Sequence, residues 1–408
     1  MWGKHAEAGR LEVFRRDPPR ETKQPMTNRT QLFEAAPGIK APWYVQGVDF
    51  GAELTIAVDF AAGSRFAYPG VAGVHAVHDT GIKRLRRLNF FRFDCYLEVR
   101  VPRILLPNGS VRLVEPGWVG KLDGFTLLFE ALVLMRCREM TFEAVARLVE
   151  LLWYPVKAIC ERYVDMAVSA TDLSEGTAVV IDEPSCRRGY DYVSLVADMD
   201  RRRVMFVTPD KDAGVVERFA DHLVEHNARP AQIKSVSIDM RPAFINGVDK
   251  HLPDARATFD KFHVVAHASK ALDGVHRGQQ KTDLEALIRQ YTTNRTARAW
   301  MYRERLREIL NRKQIHVPSG MLRQWYTGVM RSKVEPLKNV ARVILRHFDG
   351  VVAWTQTRQT NVFIEIINGL FQAAKRKARG RASFKTMRTV SLLIAGKLDF
   401  PAFTPHTS

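Results

Sequence analysis

The chain has 408 residues, of which 46% are hydrophobic and 10% aromatic, and this composition excludes a disordered protein. Its formal net charge of +18 favours a phosphate-rich partner such as nucleic acid. The longest apolar run is too short to cross a bilayer, and four widely spaced cysteines exclude a disulfide framework. The first residues lack the apolar segment of a secretory signal, so a cytoplasmic protein is expected.

The N-terminal part of the sequence divides into an arm and a small domain. Residues 1–25 are polar, charged and contain several prolines, so we expect a flexible arm. Residues 26–120 read as short strands and turns, with a hairpin around Asn108 and Gly109. This pattern predicts a small β-rich domain.

A basic segment of this domain, KRLRRLNFFRF at 83–93, interleaves arginine with phenylalanine. Such interleaving suits phosphate contacts combined with base stacking. A basic strand whose phenylalanines point into the core explains the pattern equally well. The candidate DNA contacts here are Lys83, Arg84, Arg86 and Arg87.

A helix-turn-helix is predicted within residues 121–170, because apolar residues recur there at helical spacing in two short stretches. Thr141 is placed to cap the first helix, and Pro155 suits the first turn of the second. Helical hairpins are common, but the positive charge of the chain favours DNA binding by this one. Lys157 and Arg162 are the polar candidates on the second helix.

Strand patterns return in residues 171–400 and predict an α/β core. The predicted strands are 178–182, 190–200, 202–209, 233–239 and 255–262. Three strands, a helix and then further strands alternating with helices is the order of a ribonuclease-H-like mixed sheet, in which the first strand lies beside the one that follows the first helix. Residues 264–348 read as helical and basic, so we expect an all-α insertion there.

Three acidic residues stand out in this core. Asp182 and Asp239 each end an apolar strand, and Glu365 lies in a later helix. Two aspartates at the ends of neighbouring strands, joined by the glutamate, can hold a pair of divalent cations. Each acid alone is weak, because strand-ending aspartates are often turn residues and helical glutamates are usually solvated. Glu183 is left out of the predicted site, because strand alternation turns it to the opposite face.

A basic run follows the helix of the glutamate and continues towards residue 388. It suits a clamp on the phosphates that flank a reacting bond, although such a run is usually an exposed helix end. The candidate residues of the clamp are Lys375, Arg376, Lys377 and Arg379.

Three segments of the core resemble one known family. VVIDEPSCRRGYDYVSLVADMDRRRVMFV, SIDMRPAFINGVDKHLPDARATFDKFHVVAHASKALD and EIINGLFQAAKRKARG are similar to the DDE transposases of bacterial insertion sequences, in the ISL-three (ISL3) family. The resemblance covers about residues 27–395. It implies a ribonuclease-H-like catalytic domain with an α-helical insertion and with Asp182, Asp239 and Glu365 as the catalytic, metal-binding triad. It also implies binding to the terminal inverted repeats of the element.

The family carries a D-x-x-H motif after its second acid, which here is Asp260 and His263. A histidine near the scissile phosphate can contact that phosphate or orient a carboxylate, so His263 joins the candidate catalytic residues. A histidine that caps the following helix is an alternative of at least equal weight.

One feature of the family is missing from this sequence. A zinc-binding cysteine cluster usually precedes the helix-turn-helix, but Tyr68, Ala72, Leu106 and Asn108 stand about where its cysteines would be. Without thiolates a tetrahedral zinc site cannot form there, so no structural zinc is expected in this degenerate domain. Either the domain folds on its own apolar core, or end recognition is weakened and the copy is decayed.

Together, the residues and the resemblance predict a nucleoid-associated transposase that binds double-stranded DNA, both terminal inverted repeats and target. It is expected to cleave and join strands with two Mg²⁺ or Mn²⁺ ions. Synapsis of two ends predicts a homo-oligomer. Two alternatives stay open: a catalytically silent copy that only binds specific DNA, and a structure-selective nuclease of the same fold.

Overall fold

The computed structural model describes residues 38–183, 193–209, 212, 214–259, 261–286, 294–312, 317–357, 369 and 383–400. The chain divides into two compact units, Met1–Phe129 and Glu130–Ser408. Among the described residues, no helix combines the length and the hydropathy that a membrane span requires.

The first unit contains one six-stranded sheet in the order β1-β2-β5-β4-β3, with β6 paired to β5. Its strands are β1 (Trp43–Phe50), β2 (Leu54–Phe60), β3 (Arg65–Tyr68), β4 (Val71–Phe90), β5 (Phe93–Leu105) and β6 (Val111–Leu113). Strands β2 and β5 run parallel, and the other neighbouring pairs are antiparallel. The expectation of short strands was wrong for β4, which has 20 residues. Gly81 does not interrupt it, because its backbone pairs in register with Val101 of β5.

The predicted hairpin around Asn108 and Gly109 is confirmed as the turn between β5 and β6. The Asn108 Oδ1 atom accepts a hydrogen bond from the Ser110 amide at 3.0 Å. Gly109 adopts a φ of +79°, which glycine reaches without the steric cost that a Cβ imposes.

The sheet of the first unit packs on two clusters of apolar side chains. Leu54, Ile56 and Val99 are at most 1% exposed in one cluster. Leu106, one of the positions where a cysteine was considered, is buried in a second cluster, and Tyr68 packs against that cluster. Of the two alternatives for this domain, the structure supports folding on an apolar core.

Three helices follow. They are α1 (Leu127–Glu139), which spans the boundary of the two units, α2 (Phe142–Leu148) and α3 (Trp153–Ser169). Thr141 caps α2 as predicted, since its side chain accepts a hydrogen bond from the Ala144 amide at 3.1 Å. Val145 of α2 and Val156 and Ile159 of α3 are fully buried, so the two helices share an apolar seam. Proline at position 155 lies in the first turn of α3 as expected.

A five-stranded mixed sheet lies in the second unit in the order β11-β10-β7-β8-β9. Its strands are β7 (Ala178–Asp182), β8 (Val193–Asp198), β9 (Arg203–Pro209), β10 (Ser235–Ile238) and β11 (Arg256–Phe259). Strand β10 is parallel to both β7 and β11, whereas β7, β8 and β9 form an antiparallel meander. The strand predicted at 255–262 is therefore shorter, because a helix already begins at Lys261.

The helices between and after these strands bury the faces of the sheet. They are α4 (Gly214–Glu225), α5 (Pro242–His251), α6 (Lys261–Ala286), α7 (Asn294–Asn311), α8 (Val317–Met330), α9 (Glu335–Arg346), α10 (Phe348–Thr357) and α11 (Phe384–Ala395). One apolar core joins the sheet to α4–α10 and includes Phe219, Phe244 and Trp325. The Trp325 indole, 2% exposed, donates its N–H to the Tyr302 carbonyl at 2.8 Å, so the one polar atom of this large side chain is satisfied.

Candidate active site

The first two acidic residues leave the sheet at the same edge. Strands β7 and β10 are parallel neighbours, with Ser237 opposite Val180. That offset of 57 residues (237 − 180) is also the offset between Asp239 and Asp182 (239 − 182). The expectation that the first strand lies beside the strand after the first helix is confirmed, and the register brings both aspartates to the carboxyl ends of adjacent strands.

Backbone amides orient both aspartate side chains. The Asp182 Oδ1 atom accepts a hydrogen bond from the Glu183 amide at 2.8 Å. The Asp239 Oδ1 atom accepts one from the Arg241 amide at 3.1 Å, and Arg241 Nε lies 2.7 Å from Asp239 Oδ2. With its side chain 21% exposed, Asp239 stays accessible to a ligand.

Glu183 belongs to this edge, which corrects its exclusion from the predicted site. Its carboxylate pairs with Arg241, the same guanidinium that binds Asp239. The reason for exclusion fails because β7 ends at Asp182, so strand alternation no longer fixes the direction of the next side chain. The Glu183 side chain is only 4% exposed, and its Oε1 atom has no hydrogen-bond partner.

The buried position of Glu183 changes its proton affinity. Burial raises the pKa of Glu183 to about 7, and the nearby charges of Asp239 and Asp182 act in the same direction, while Arg241 opposes them. Three carboxyl groups therefore interact electrostatically at one edge of the sheet.

Two histidines lie in the first turns of α6, and one of them, His267, interacts electrostatically with Asp239. The predicted residue His263 is in the first turn of the helix, and His267 follows one turn later. The pKa of His267 is lowered by burial first and by His263 next, whereas Asp239 raises it. Sequence reasoning missed His267, although its i, i+4 spacing from His263 places both on one helix face.

Several predicted residues lie outside the described residues. They are Asp260, Glu365, Lys375, Arg376, Lys377 and Arg379. The third acid, the aspartate of the D-x-x-H motif and the basic clamp therefore stay predictions.

The described donors suit a hard divalent cation. Asp182, Glu183 and Asp239 offer carboxylate oxygens, which Mg²⁺ and Mn²⁺ prefer. The Oε1 atom of Glu183 is buried and has no hydrogen-bond partner, and a bound cation or its hydration water would supply that partner. At present Arg241 supplies the positive charge that this edge requires.

The basic segment of the first unit is largely engaged within that unit. Lys83 pairs with Glu115 and Asp123, and Arg84 pairs with Glu53. Arg86 is 4% exposed and its guanidinium is bound to Asp94 at 2.5 Å, so it would have to leave this partner to contact DNA.

The remaining members of the segment divide between core and surface. The Arg87 side chain hydrogen-bonds to the buried thiol of Cys95. Phe90 packs against the core, whereas Phe91, at the tip of the β4–β5 hairpin, is 87% exposed. The ring of Phe91 is therefore available for stacking on a base. Phe90 faces the core, as the alternative interpretation of this segment predicts.

On the helix-turn-helix, the two predicted contacts differ in environment. Lys157 is 15% exposed and pairs with Glu161 at 3.1 Å, whereas Arg162 is exposed. Tyr154, in the first turn of α3, is 65% exposed and was not among the predicted contacts.

The described end of the predicted clamp is used inside the unit. In α11, Arg388 binds Asp165 of α3 at 2.6 Å, and Lys385 binds Glu161 at 3.3 Å. In this structure the end of the basic stretch therefore ties α11 to α3.

Two family models match the chain. A model of the ISL3 DDE family, described as "Transposase", matches residues 179–293 and 278–391. A second, the "Helix-turn-helix domain of transposase family ISL3", matches residues 114–164. The two matches fall on the mixed sheet with its helices and on the segment that contains α1, α2 and most of α3.

Two curated relatives of the chain are also named transposases. The chain is 24% identical over 335 residues to the "Transposase for insertion sequence element IS1001" of Bordetella parapertussis, across 74% of this chain and 82% of the relative. It is 30% identical over 210 residues to the "Transposase for insertion sequence element IS1557" of Mycobacterium tuberculosis. This second match spans 51% of the chain and 47% of that relative.

Proposed function

Because the chain belongs to the ISL3 family of transposases, we propose that it recognises the terminal inverted repeats of an insertion sequence and cuts and joins DNA there. The observation that carries the proposal is the register of β7 and β10, which sets Asp182 beside Asp239. Both residues lie in the part of the chain that the family model matches.

The proposed division of labour follows the predicted domains. The arm predicted at residues 1–25 lies outside the described residues and stays a prediction. Residues 26–120 are assigned to a β-rich domain, 121–170 to the DNA-binding helix-turn-helix, and 171–400 to a ribonuclease-H-like catalytic domain with its insertion at 264–348. The mixed sheet, in which a three-stranded antiparallel meander is extended by two parallel strands, supports the ribonuclease-H-like assignment. In this proposal the protein works on the nucleoid as a homo-oligomer that pairs two ends.

In the proposed catalytic centre, Asp182, Asp239 and Glu365 hold two Mg²⁺ or Mn²⁺ ions. Such a pair, when bound, favours deprotonation of the attacking water or 3′ hydroxyl and stabilises the leaving oxyanion. Arg241 fixes one Asp239 oxygen before DNA arrives, which reduces the reorganisation that binding requires. His263 and His267 offer imidazole N–H groups to phosphate oxygens on the side of α6.

End recognition is assigned to exposed groups. Tyr154 and Arg162 of α3 are the proposed contacts of the recognition helix, and Phe91 is the proposed contact of the first unit. Four other candidates would have to leave their present partners to touch phosphate, so they are weaker: Lys83, Arg84, Arg87 and Lys157. Lys375, Arg376, Lys377 and Arg379 keep their proposed role as a clamp.

A strand-cleavage assay on terminal-repeat DNA with Mg²⁺ tests the proposal. Asp182→Asn, Asp239→Asn and Glu365→Gln should each abolish nicking and joining while the protein still shifts the same DNA in a gel. Asp249→Asn is the matched control, because this aspartate is exposed on α5. Full activity of the Asp239→Asn variant would overturn the catalytic assignment.

The same assay separates the alternatives. Specific gel shift without metal-dependent cleavage by the unmodified chain would identify a silent, DNA-binding copy. Cleavage that ignores the repeat sequence and never joins strands would identify a structure-selective nuclease.

A further inference from the structure

The last turn of α4 and the residue after it carry the sequence HLVEH, residues 222–226. The spacing of His222, Glu225 and His226 is i, i+3, i+4. Their side chains therefore lie on one face at the C-terminal end of α4. Their candidate ligand atoms all lie within 4.8 Å of one another. Among the residues that the structure describes, only this group of three or more histidine, cysteine or acidic side chains is gathered so closely.

The ring orientations suit a shared cation. The two imidazole centroids are 4.2 Å apart, with their planes inclined at 56°. His226 Nδ1 lies 2.9 Å from the Thr171 carbonyl oxygen, which can only accept, so Nδ1 carries the proton. In the neutral ring the Nε2 atom is then left with its lone pair, and a backbone carbonyl behind the ring is the usual support of a metal-binding histidine.

The second ring is similarly held in place. His222 packs on Phe206 of β9, with ring centroids 4.8 Å apart. His226 is 7% exposed, whereas Glu225 is exposed. The group is therefore fixed on its inner side by protein and open on its outer side to water.

The location of the group separates it from the carboxylates at the end of β7. The Leu173 amide donates to the His226 carbonyl at 3.0 Å, and the segment Thr171–Leu173 leads into the amino end of β7. Asp182 is the last residue of that strand. At roughly 3.3 Å per residue, the strand alone puts on the order of 13 Å between its two ends.

We propose that His222, Glu225 and His226 bind one divalent transition-metal ion of the zinc class, with water completing a tetrahedral shell. Two imidazole nitrogens favour Zn²⁺ over Mg²⁺, which prefers an all-oxygen shell. The ion clamps the end of α4 beside the segment that enters β7, so its role is structural. The proposal does not depend on the assigned function, and it is separate from the cysteine positions of the first unit.

The test uses the full-length, untagged chain, stripped with a chelator and kept in excess Mg²⁺ so that oxygen-ligand sites are filled. Co²⁺ is titrated while its visible d–d absorption is followed, and Zn²⁺ is then added as a competitor. We expect one Co²⁺ ion to bind tightly per chain and to give the visible absorption bands of a four-coordinate site with nitrogen ligands. Added Zn²⁺ should displace Co²⁺ and abolish these bands. Zn²⁺ should also raise the melting temperature.

Variants locate the site. His222→Gln and His226→Gln should lose the visible bands, and Glu225→Gln, an exposed change that spares the fold, should weaken Co²⁺ binding at least about tenfold. His251→Gln, on α5, is the matched histidine control and should bind like the parent.

Two results would overturn the proposal. One is that the parent chain binds no equivalent of Co²⁺ or Zn²⁺ in the presence of Mg²⁺. The other is that the bound metal ion is placed elsewhere by the variants. This would be so if binding survived Glu225→Gln and both histidine changes. It would also be so if binding were lost in the double variant Asp182→Asn with Asp239→Asn, because the ion would then lie at the other end of β7.

Discussion

Arg241 is the residue on which the charge balance of the carboxyl edge depends. It pairs with partly exposed Asp239 and with the buried carboxylate of Glu183, next to Asp182. A buried carboxylate without its cation is costly, so Arg241 and Glu183 stabilise each other. Glu183 thereby holds the guanidinium that orients Asp239, which makes it a positioning residue in the proposed reaction.

Glu183→Gln should slow cleavage without unfolding the protein. The amide removes the charge that holds Arg241, and loss of such supporting contacts typically costs about 10- to 100-fold. Single-turnover cleavage of repeat DNA measures the effect, and a raised Mg²⁺ requirement should accompany it. Glu335→Gln, an exposed change on α9, is the control. Unchanged rate and Mg²⁺ dependence in Glu183→Gln would show that Arg241 does not position Asp239.

The thiols of the chain provide a second residue-scale prediction. Cys95, Cys137 and Cys160 are buried, and burial raises the pKa of Cys160 well above its usual value. The thiolate is the reactive form, so in a Cys186→Ser variant the native protein should react with a maleimide at least about 100-fold more slowly than the unfolded chain. Mass spectrometry of labelled peptides checks this. Rapid native labelling of Cys160 would contradict its buried position.

At the scale of elements, the contact between α10 and β11 depends on one glycine. A Cβ at Gly350 would collide with the Phe259 ring and approach the Ala257 carbonyl oxygen to 3.2 Å. The helix can approach the strand closely only because position 350 has no side chain. The predicted helical insertion ended at residue 348, so the sequence analysis predicted neither this helix nor the residue of it that faces the strand.

Gly350→Ala should therefore destabilise the second unit by about 1–3 kcal/mol, the usual cost of overpacking. Gly274→Ala in α6 is the matched control, because a Cβ there meets nothing within 4 Å. It should instead stabilise the protein by roughly 0.5–1 kcal/mol through helix propensity. Urea unfolding followed by circular dichroism measures both. Equal effects of the two changes would contradict the close approach of α10 to β11.

At the scale of the whole molecule, the net charge of +18 sets the expected salt dependence of DNA binding. If about six to ten phosphates are contacted, the slope of log K against log salt should be about −5 to −9. Arg162→Gln should reduce the steepness by about 1, since that side chain is exposed on α3. Arg342→Gln removes the same charge from a pair with Glu335 and should leave the slope unchanged. Fluorescence anisotropy of labelled DNA between 50 and about 200 mM salt measures the slope for each protein.

The strand order of the second unit could be predicted from the sequence, because buried strands read as continuous apolar runs and parallel neighbours follow from the helix between them. That reasoning also placed Asp182 and Asp239 on adjacent strands. It missed the position of Glu183, since alternation says nothing once a strand has ended, and it did not foresee that Arg86 is buried, since charge does not reveal burial. The length of β4 was missed because its alternation is mostly polar.

The ion pairs between α11 and α3 have a practical consequence for engineering the proposed recognition of the element ends. A chimaera that exchanges the recognition helix by cutting at residue 170 would leave Lys385 and Arg388 facing foreign side chains in place of Glu161 and Asp165. Grafts of this kind should therefore carry residues 383–395 along with the donor's helices. The unit of exchange is discontinuous in the gene although it is continuous in space.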